Sequence, residues 1–253
     1  MWGGRNLTTE SVQPTGFRNY ARIFLGMSGG SDALQTDQNN ALGNHLGAYE
    51  LRASYRFDGF TLFNHWQFLW EDSSGLTPWN WRDGMVGVGI ELHNNRFIDK
   101  VVLEVVRTNH QDADKRTDDG IVFLEPDNFF NNSVYRDGWT FNDRVIGNPI
   151  FLLNEERDGS TSRISNMINA FQVGVAGSFD KINYRLSYIQ FKNQGTRFVQ
   201  YEKPKTLESI DLSLNYSLTK SSNAFLRMNY QSGSLVSNNS IGMQLGYKWL
   251  ISF

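Results

Sequence analysis

Between residues 207 and 219 apolar and polar side chains alternate without interruption: Ile210, Leu212, Leu214, Tyr216 and Leu218 take turns with Ser209, Asp211, Ser213, Asn215 and Ser217. Successive side chains of a strand point to opposite faces, so the run predicts a β-strand with one apolar and one wet face. Neighbouring runs repeat the scheme. Ile182, Tyr184, Leu186 and Tyr188 alternate with Asn183, Arg185 and Ser187; Ala224, Leu226, Met228 and Tyr230 alternate with Arg227 and Asn229, although Phe225 breaks the polar row. Tyr49, Leu51, Ala53, Tyr55 and Phe57 oppose Glu50, Arg52, Ser54 and Arg56, and nearer the start Phe17, Ala21, Ile23, Leu25 and Met27 oppose Arg18 and Arg22. Segments 60–71, 84–93, 99–110 and 167–179 alternate less cleanly. With the closing run IGMQLGYKWLISF, apolar at every odd position from Ile241 to Phe253, ten strands are expected. Their lengths of about 10 to 14 residues suit a tilted strand crossing a bilayer. No sustained helical period is visible.

The joins between these strands sort by length. Long ones (29–44, 72–83, 111–165, 194–206) alternate with short ones at Asp58-Gly59, Asn94-Asn95, Asp180-Lys181 and Lys220-Ser221-Ser222, and the last, around Gly233 to Ser237, is only moderate. Membrane barrels place short turns on one side and long loops on the other, whereas a soluble sandwich has no reason to do so. One β-barrel domain over residues 1–253 is therefore expected, with its C-terminus on the short-turn, periplasmic side.

Charge follows the parity. An Arg facing lipid near the midplane costs about 2 to 4 kcal/mol, and Arg18, Arg22, Glu50, Arg52, Arg56, Glu104, Arg185, Asp211 and Arg227 all fall on the non-apolar face. The last strand also resembles the C-terminal insertion signal of outer-membrane barrels. Gln244, Gly246, Trp249, Ile251 and Phe253 hold its polar, glycine and spaced apolar positions, which makes the barrel-insertion machinery an expected partner.

Composition agrees. Aromatics reach 14%, yet mean hydropathy is −0.45 and 20% of residues are charged, so apolar surface is arranged rather than abundant. No stretch approaches the roughly 18 to 20 apolar residues of a membrane helix, which excludes helical spans but not strands. The chain has no cysteine, removing disulfides, thiolate metal sites and thiol nucleophiles. A net charge of −2 gives no basic field for nucleic acid. The opening MWGGRNLTTE lacks the basic and apolar regions of an export signal.

The long loop carries DNFFNNSVYRDGWTFNDRVIGNPIF, residues 127–151. It resembles the capsule assembly Wzi family, whose later half has a Tyr-Arg-x-Gly-Trp segment followed by Arg-Val-Ile-Gly-x-Pro. Tyr135, Arg136, Gly138, Trp139, Arg144, Val145, Ile146, Gly147 and Pro149 hold those positions. The resemblance implies an all-β, antiparallel transmembrane barrel of the outer membrane, with capsular or surface polysaccharide held non-covalently. Family members have about eighteen strands, so the ten counted here suggest a truncated copy or the C-terminal part of a larger barrel.

Aromatic rings stack on the apolar faces of sugars, and Arg or Asn supplies directed hydrogen bonds. Tyr135, Arg136, Trp139 and Arg144, with Phe129, Phe130, Asp137 and Asn142, form one such mixture; Trp79, Trp81 and Arg82 form a second, and Tyr201, Lys203 and Lys205 extend it. The structural alternative is that the 111–165 loop folds into the barrel, its aromatics making a small core. A diffusion porin constricted by that loop is the other functional class. The acidic run DADKRTDDG at 112–120 lacks the glycine and distal glutamate of an EF-hand, so no metal is expected. No catalytic motif is present; His65, with lumen parity, is the one histidine that an outer-membrane hydrolase would use, and neither enzyme nor cofactor is expected.

Overall fold

The structure is a computed structural model. It describes residues 15–39, 41–71, 82–95, 97–116, 122–126, 128–132, 134–135, 138–147, 150–154, 164–219 and 221–249. Among these, nine strands form one antiparallel sheet: β1 (Gly47–Arg56), β2 (Phe60–Trp70), β3 (Gly84–Leu92), β4 (Lys100–Arg107), β5 (Ile168–Phe179), β6 (Ile182–Gly195), β7 (Gln200–Thr219), β8 (Ser222–Ser232) and β9 (Ser240–Trp249). Each strand pairs with the next in the chain, and β4 pairs with β5 across the long insertion.

The register carries the two-faced pattern through all nine strands. Tyr55, Leu62, Ile90, Val101, Val175, Leu186, Leu212, Met228 and Met243 stand opposite one another in succession. One residue along, the row reads Arg56, Thr61, Glu91, Lys100, Ala176, Arg185, Ser213, Arg227 and Gln244. A slip by one residue would exchange the faces, so the pattern fixes the pairing. The apolar face is bare: Leu62, Val88, Leu103, Leu186 and Met243 are all exposed. Water does not tolerate an apolar surface of this extent, and hydrocarbon does.

Aromatic girdles bound this face at both ends. At the turn end Phe57 stacks on Phe60 and meets Tyr55, both at 4.6 Å, and Phe97 stacks on Phe179 at 5.5 Å. Tyr247 and Trp249 continue the row. At the loop end Tyr49, Phe68, Trp66 and Trp70 cluster at 5.0 to 6.3 Å. Tyr49 and Phe57 are eight residues apart, about 26 Å along a strand, which matches an apolar band about 25 Å tall before tilt. Along the outer edges of the sheet, β1 and β9 pair only with β2 and β8 among the described residues. Those two strands run in the same direction, so a direct seam between them is a parallel ladder.

The polar face has its own packing. Phe225, which interrupts the polar row, lies over Gly246, where a Cβ would sit 2.2 Å from its ring, and the Arg227 guanidinium rests 5.4 Å from the same ring. Phe63 covers Gly89 in the same way, with Lys100 above it at 4.4 Å and bonded to Glu91 at 2.9 Å. Rings laid across cross-strand glycines fill the sheet without taking up lumen width.

Two expectations are corrected. The first period-2 run is not a strand: Phe17–Leu25 is an α-helix (α1), ended by Gly26 at φ 64°, with Met27 N–H returning to Arg22 O at 2.8 Å. Phe17, Tyr20, Ala21 and Phe24 fit a helical stripe as well as Phe17, Ala21, Ile23 and Leu25 fit alternation, and among the described residues no partner strand is present to select the extended form. Asn19 is buried beneath α1 and donates to Asp32, while Phe17 and Phe24 are exposed. The stretch 194–206 is not an open loop either. Only residues 196–199 separate β6 from β7, because Thr196 and Val199 close a tight turn and the 20-residue β7 carries the hairpin past the girdle. A second short helix, Gln35–Asn39 (α2), lies in the 29–44 segment.

Candidate functional site

The loop end of the polar face is closed by the insertion between β4 and β5. Its apolar residues Phe129, Phe130, Phe151 and Ile164 form one buried cluster with Ile168 of β5 and Phe191 of β6, and Val106, Ala170 and Leu207 pack beneath. These strand residues all have polar-face parity, so the insertion packs onto the lumen side at the mouth.

An amide network fixes it there. Asn166 donates to Asn128 Oδ1 (2.9 Å) and Phe129 O (2.6 Å), and accepts at Oδ1 from Gln111 (3.0 Å). Asn131 clamps Ile164 through both its carbonyl oxygen and its backbone N–H, each at 2.8 Å. The Glu71 carboxylate accepts from Phe130 N–H at 2.6 Å, and Asp83 accepts from His110 and Gln111 N–H. Buried backbone that lacks a ladder must find such partners, which explains the many Asn and Gln side chains here.

Tyr135 ties the segment holding α1 and α2 to this cap. Its ring is fully buried and its hydroxyl donates to Asp37 Oδ2 at 2.8 Å. Burial, reinforced by the Asp37 carboxylate, holds the phenol above the ordinary tyrosine range. Trp139 is half-buried and meets Phe130 edge to face at 5.8 Å.

Beside the cap, against which Val145 packs, Thr140–Phe141 and Arg144–Val145 form a two-residue ribbon whose Asn142 and Asp143 both have positive φ, 46° and 56°. This is the primed turn that a short hairpin demands, and asparagine and aspartate tolerate it. Phe141 stands directly opposite Arg144; the ring is 70% exposed and the guanidinium side chain is also exposed. Phe141 escaped the sequence reading because nothing distinguishes it from the buried Phe129 and Phe130. The Asn-Asp pair that follows it was the available signal.

The remaining expected residues are dispersed. Arg82 is exposed on the apolar-face side of the rim. Tyr201 on β7 is bonded to Asn154 at 2.9 Å, and Lys205 lies 4.6 Å over its ring. Gln244 faces Arg227, Gly246 lies beneath Phe225 and Trp249 is exposed at the turn end. Arg136, Asp137, Trp79, Trp81, Ile251 and Phe253 lie outside the described residues. His65 sits over Gly87 with Glu104 Oε1 3.0 Å from Nε2, an electrostatic contact off the hydrogen-bond direction.

Among protein-family models, the one described as "Capsule assembly protein Wzi" matches residues 1–239. No match is found among curated proteins or among solved structures.

Proposed function

Because the chain belongs to the capsule assembly Wzi family, we propose that it lies in the outer membrane, loops outward, and retains capsular polysaccharide by non-covalent binding at the loop end. The observation that carries this reading is the Phe141–Arg144 pair, an exposed ring and an exposed Arg side chain opposite one another on the short ribbon beside the cap. A ring offers a stacking surface to a sugar, and Arg offers a bidentate donor to a uronate or other acidic substituent. Half-buried Trp139 and, three residues before it, Arg136 belong to the same segment, while Trp79, Trp81 and Arg82 supply a second group of the same composition. The role read here is retention of the glycan, not chemistry on it. Gln244, Gly246, Trp249, Ile251 and Phe253 would be read by the insertion machinery during assembly.

The test is binding of purified acidic capsular polysaccharide to the protein in nanodiscs. Phe141→Ala with Arg144→Ala removes one ring stack and one charge-assisted contact, together about 2 to 4 kcal/mol, or at least tenfold in affinity. In cells the same variant sheds capsule into the medium. Unchanged affinity in the double variant refutes this placement of the site.

A further inference from the structure

The apolar face carries a feature that the polysaccharide reading does not use. At its loop end a pocket of about 750 Å3 opens sideways between β2, β3 and β4. Trp66, Val86 and Val105, one continuous cross-strand row, form its wall. Arg82, Arg107 and His110 form its upper rim, and all three are exposed.

Arg107 stands opposite Asn169 of β5, and Asn169 stands opposite Lys192 of β6. These residues share the parity of the apolar row, so Arg107 and Lys192 project on the lipid side about 10 Å apart, two strand spacings. Arg107 faces Gly84, whose backbone lies against Phe68 of the loop-end girdle, so the cation stands level with that girdle. Asp83, the acid in the pocket wall, is only 1% exposed and accepts from His110 and Gln111 N–H at 3.0 and 2.5 Å. Arg197 donates to His110 O at 3.2 Å, so the backbone that presents His110 is held from both sides. Glu208, the acidic neighbour farther along the rim, accepts from Gln190 at 3.1 Å. Among the described residues Arg107 forms no ion pair.

We propose that this pocket binds the phosphate-bearing head group of an outer-leaflet lipid, with acyl chain along Trp66, Val86 and Val105 and phosphate at Arg107 and His110. The proposal rests on the outer-membrane placement above and not on the polysaccharide role. A cation displayed beside hydrocarbon is costly without an anion, and guanidinium matches phosphate in charge and fork geometry. An apolar wall directly beneath a cationic rim has the shape of an anionic lipid, tail below and head above.

Wild type and the Arg107→Ala/His110→Ala double variant are reconstituted in phosphatidylcholine nanodiscs doped with bisphosphorylated or dephosphorylated lipid A. Native mass spectrometry then counts the doped lipid carried by each chain after extraction. The expected result is about tenfold lower retention of the phosphorylated lipid by the variant and equal, low retention of the dephosphorylated one by both. Arg107→Lys restores most of the retention, and Lys181→Ala, at the turn end, leaves it unchanged. A wild-type chain that inserts but keeps both lipids equally, or a variant that keeps the phosphorylated lipid as well as wild type, overturns the site. A wild-type chain that stays outside the bilayer overturns the placement and the site together.

Discussion

Leu186 and Ser187 are consecutive residues of β6, and the fold assigns them to different solvents. Leu186 is 44% exposed and stands between Val175 and Leu212 in the apolar row. Ser187 stands between Gly174 and Asp211, and borders a polar-face cavity of about 410 Å3 shared with Arg185, Arg227 and Asn229. Arginine at the first position would enter hydrocarbon midway between the girdles, at a cost of about 2 to 4 kcal/mol. Arginine at the second has the cavity to occupy and the Asp211 carboxylate to face, so its effect stays within about 1 kcal/mol. A difference of about 3 kcal/mol is roughly 150-fold in the folded-to-unfolded ratio. Reversible urea unfolding in liposomes, followed by tryptophan fluorescence, measures both variants on one scale. Equal destabilisation by Leu186→Arg and Ser187→Arg would show that the two faces do not meet different solvents, and the membrane assignment would fall.

Other perturbations probe the cap and the polar face. Tyr135→Phe deletes the bond to Asp37 and should cost about 1.5 to 3 kcal/mol of local stability, read as faster protease cleavage within 29–44. The same bond gives an alkaline signature: the folded phenol titrates above its unfolded value near 10, so its contribution is intact below about pH 10 and lost as pH rises beyond it, and cleavage in wild type should accelerate there while Tyr135→Phe loses this dependence. Asn131→Ala removes both bonds to Ile164 and should loosen the insertion by about 2 kcal/mol in hydrogen exchange. Gly87→Ala puts a methyl 2.2 Å from the His65 ring and should cost about 1 to 3 kcal/mol, whereas Gly174→Ala meets nothing within 4 Å and should be neutral in the same thermal scan.

The sheet was legible because its signal is parity, and parity survives without knowledge of partners. Nine of the ten expected runs are strands, and the charges assigned to the wet side of β1, β4, β6, β7 and β8 share the polar face in the register. The tenth failed where a second period fitted equally well: nine residues from Phe17 satisfy a helical stripe, and only the αL glycine at 26 argued for it. The hairpin 194–206 was misread because Asn193, Gly195 and Thr196 look like loop residues, yet a strand continuing beyond the girdle needs no apolar alternation. In the candidate site, residue types were visible and depth was not. Tyr135 and Trp139 come from one motif, but only the long-range contacts with Asp37 and Phe130 decide which atoms remain accessible.

The chemistry of the cap also bears on what the molecule does with its interior. A diffusion pore needs a constriction lined by water-seeking groups, and the arginines that would line one, Arg52, Arg185 and Arg227, stand on the polar face farther toward the turns. At the mouth the inward-packed insertion instead presents Phe129, Phe130, Phe151 and Ile164 to Phe191 and Ile168, a dry contact sealed by buried amides. A hydrated solute gains nothing there. Among the described residues, the charged and aromatic groups accessible near the loop end include Phe141 and Arg144 of the insertion and Arg107 and His110 at the rim of the sheet. Both sets face solvent at the loop end of the sheet, as the proposed surface binding requires.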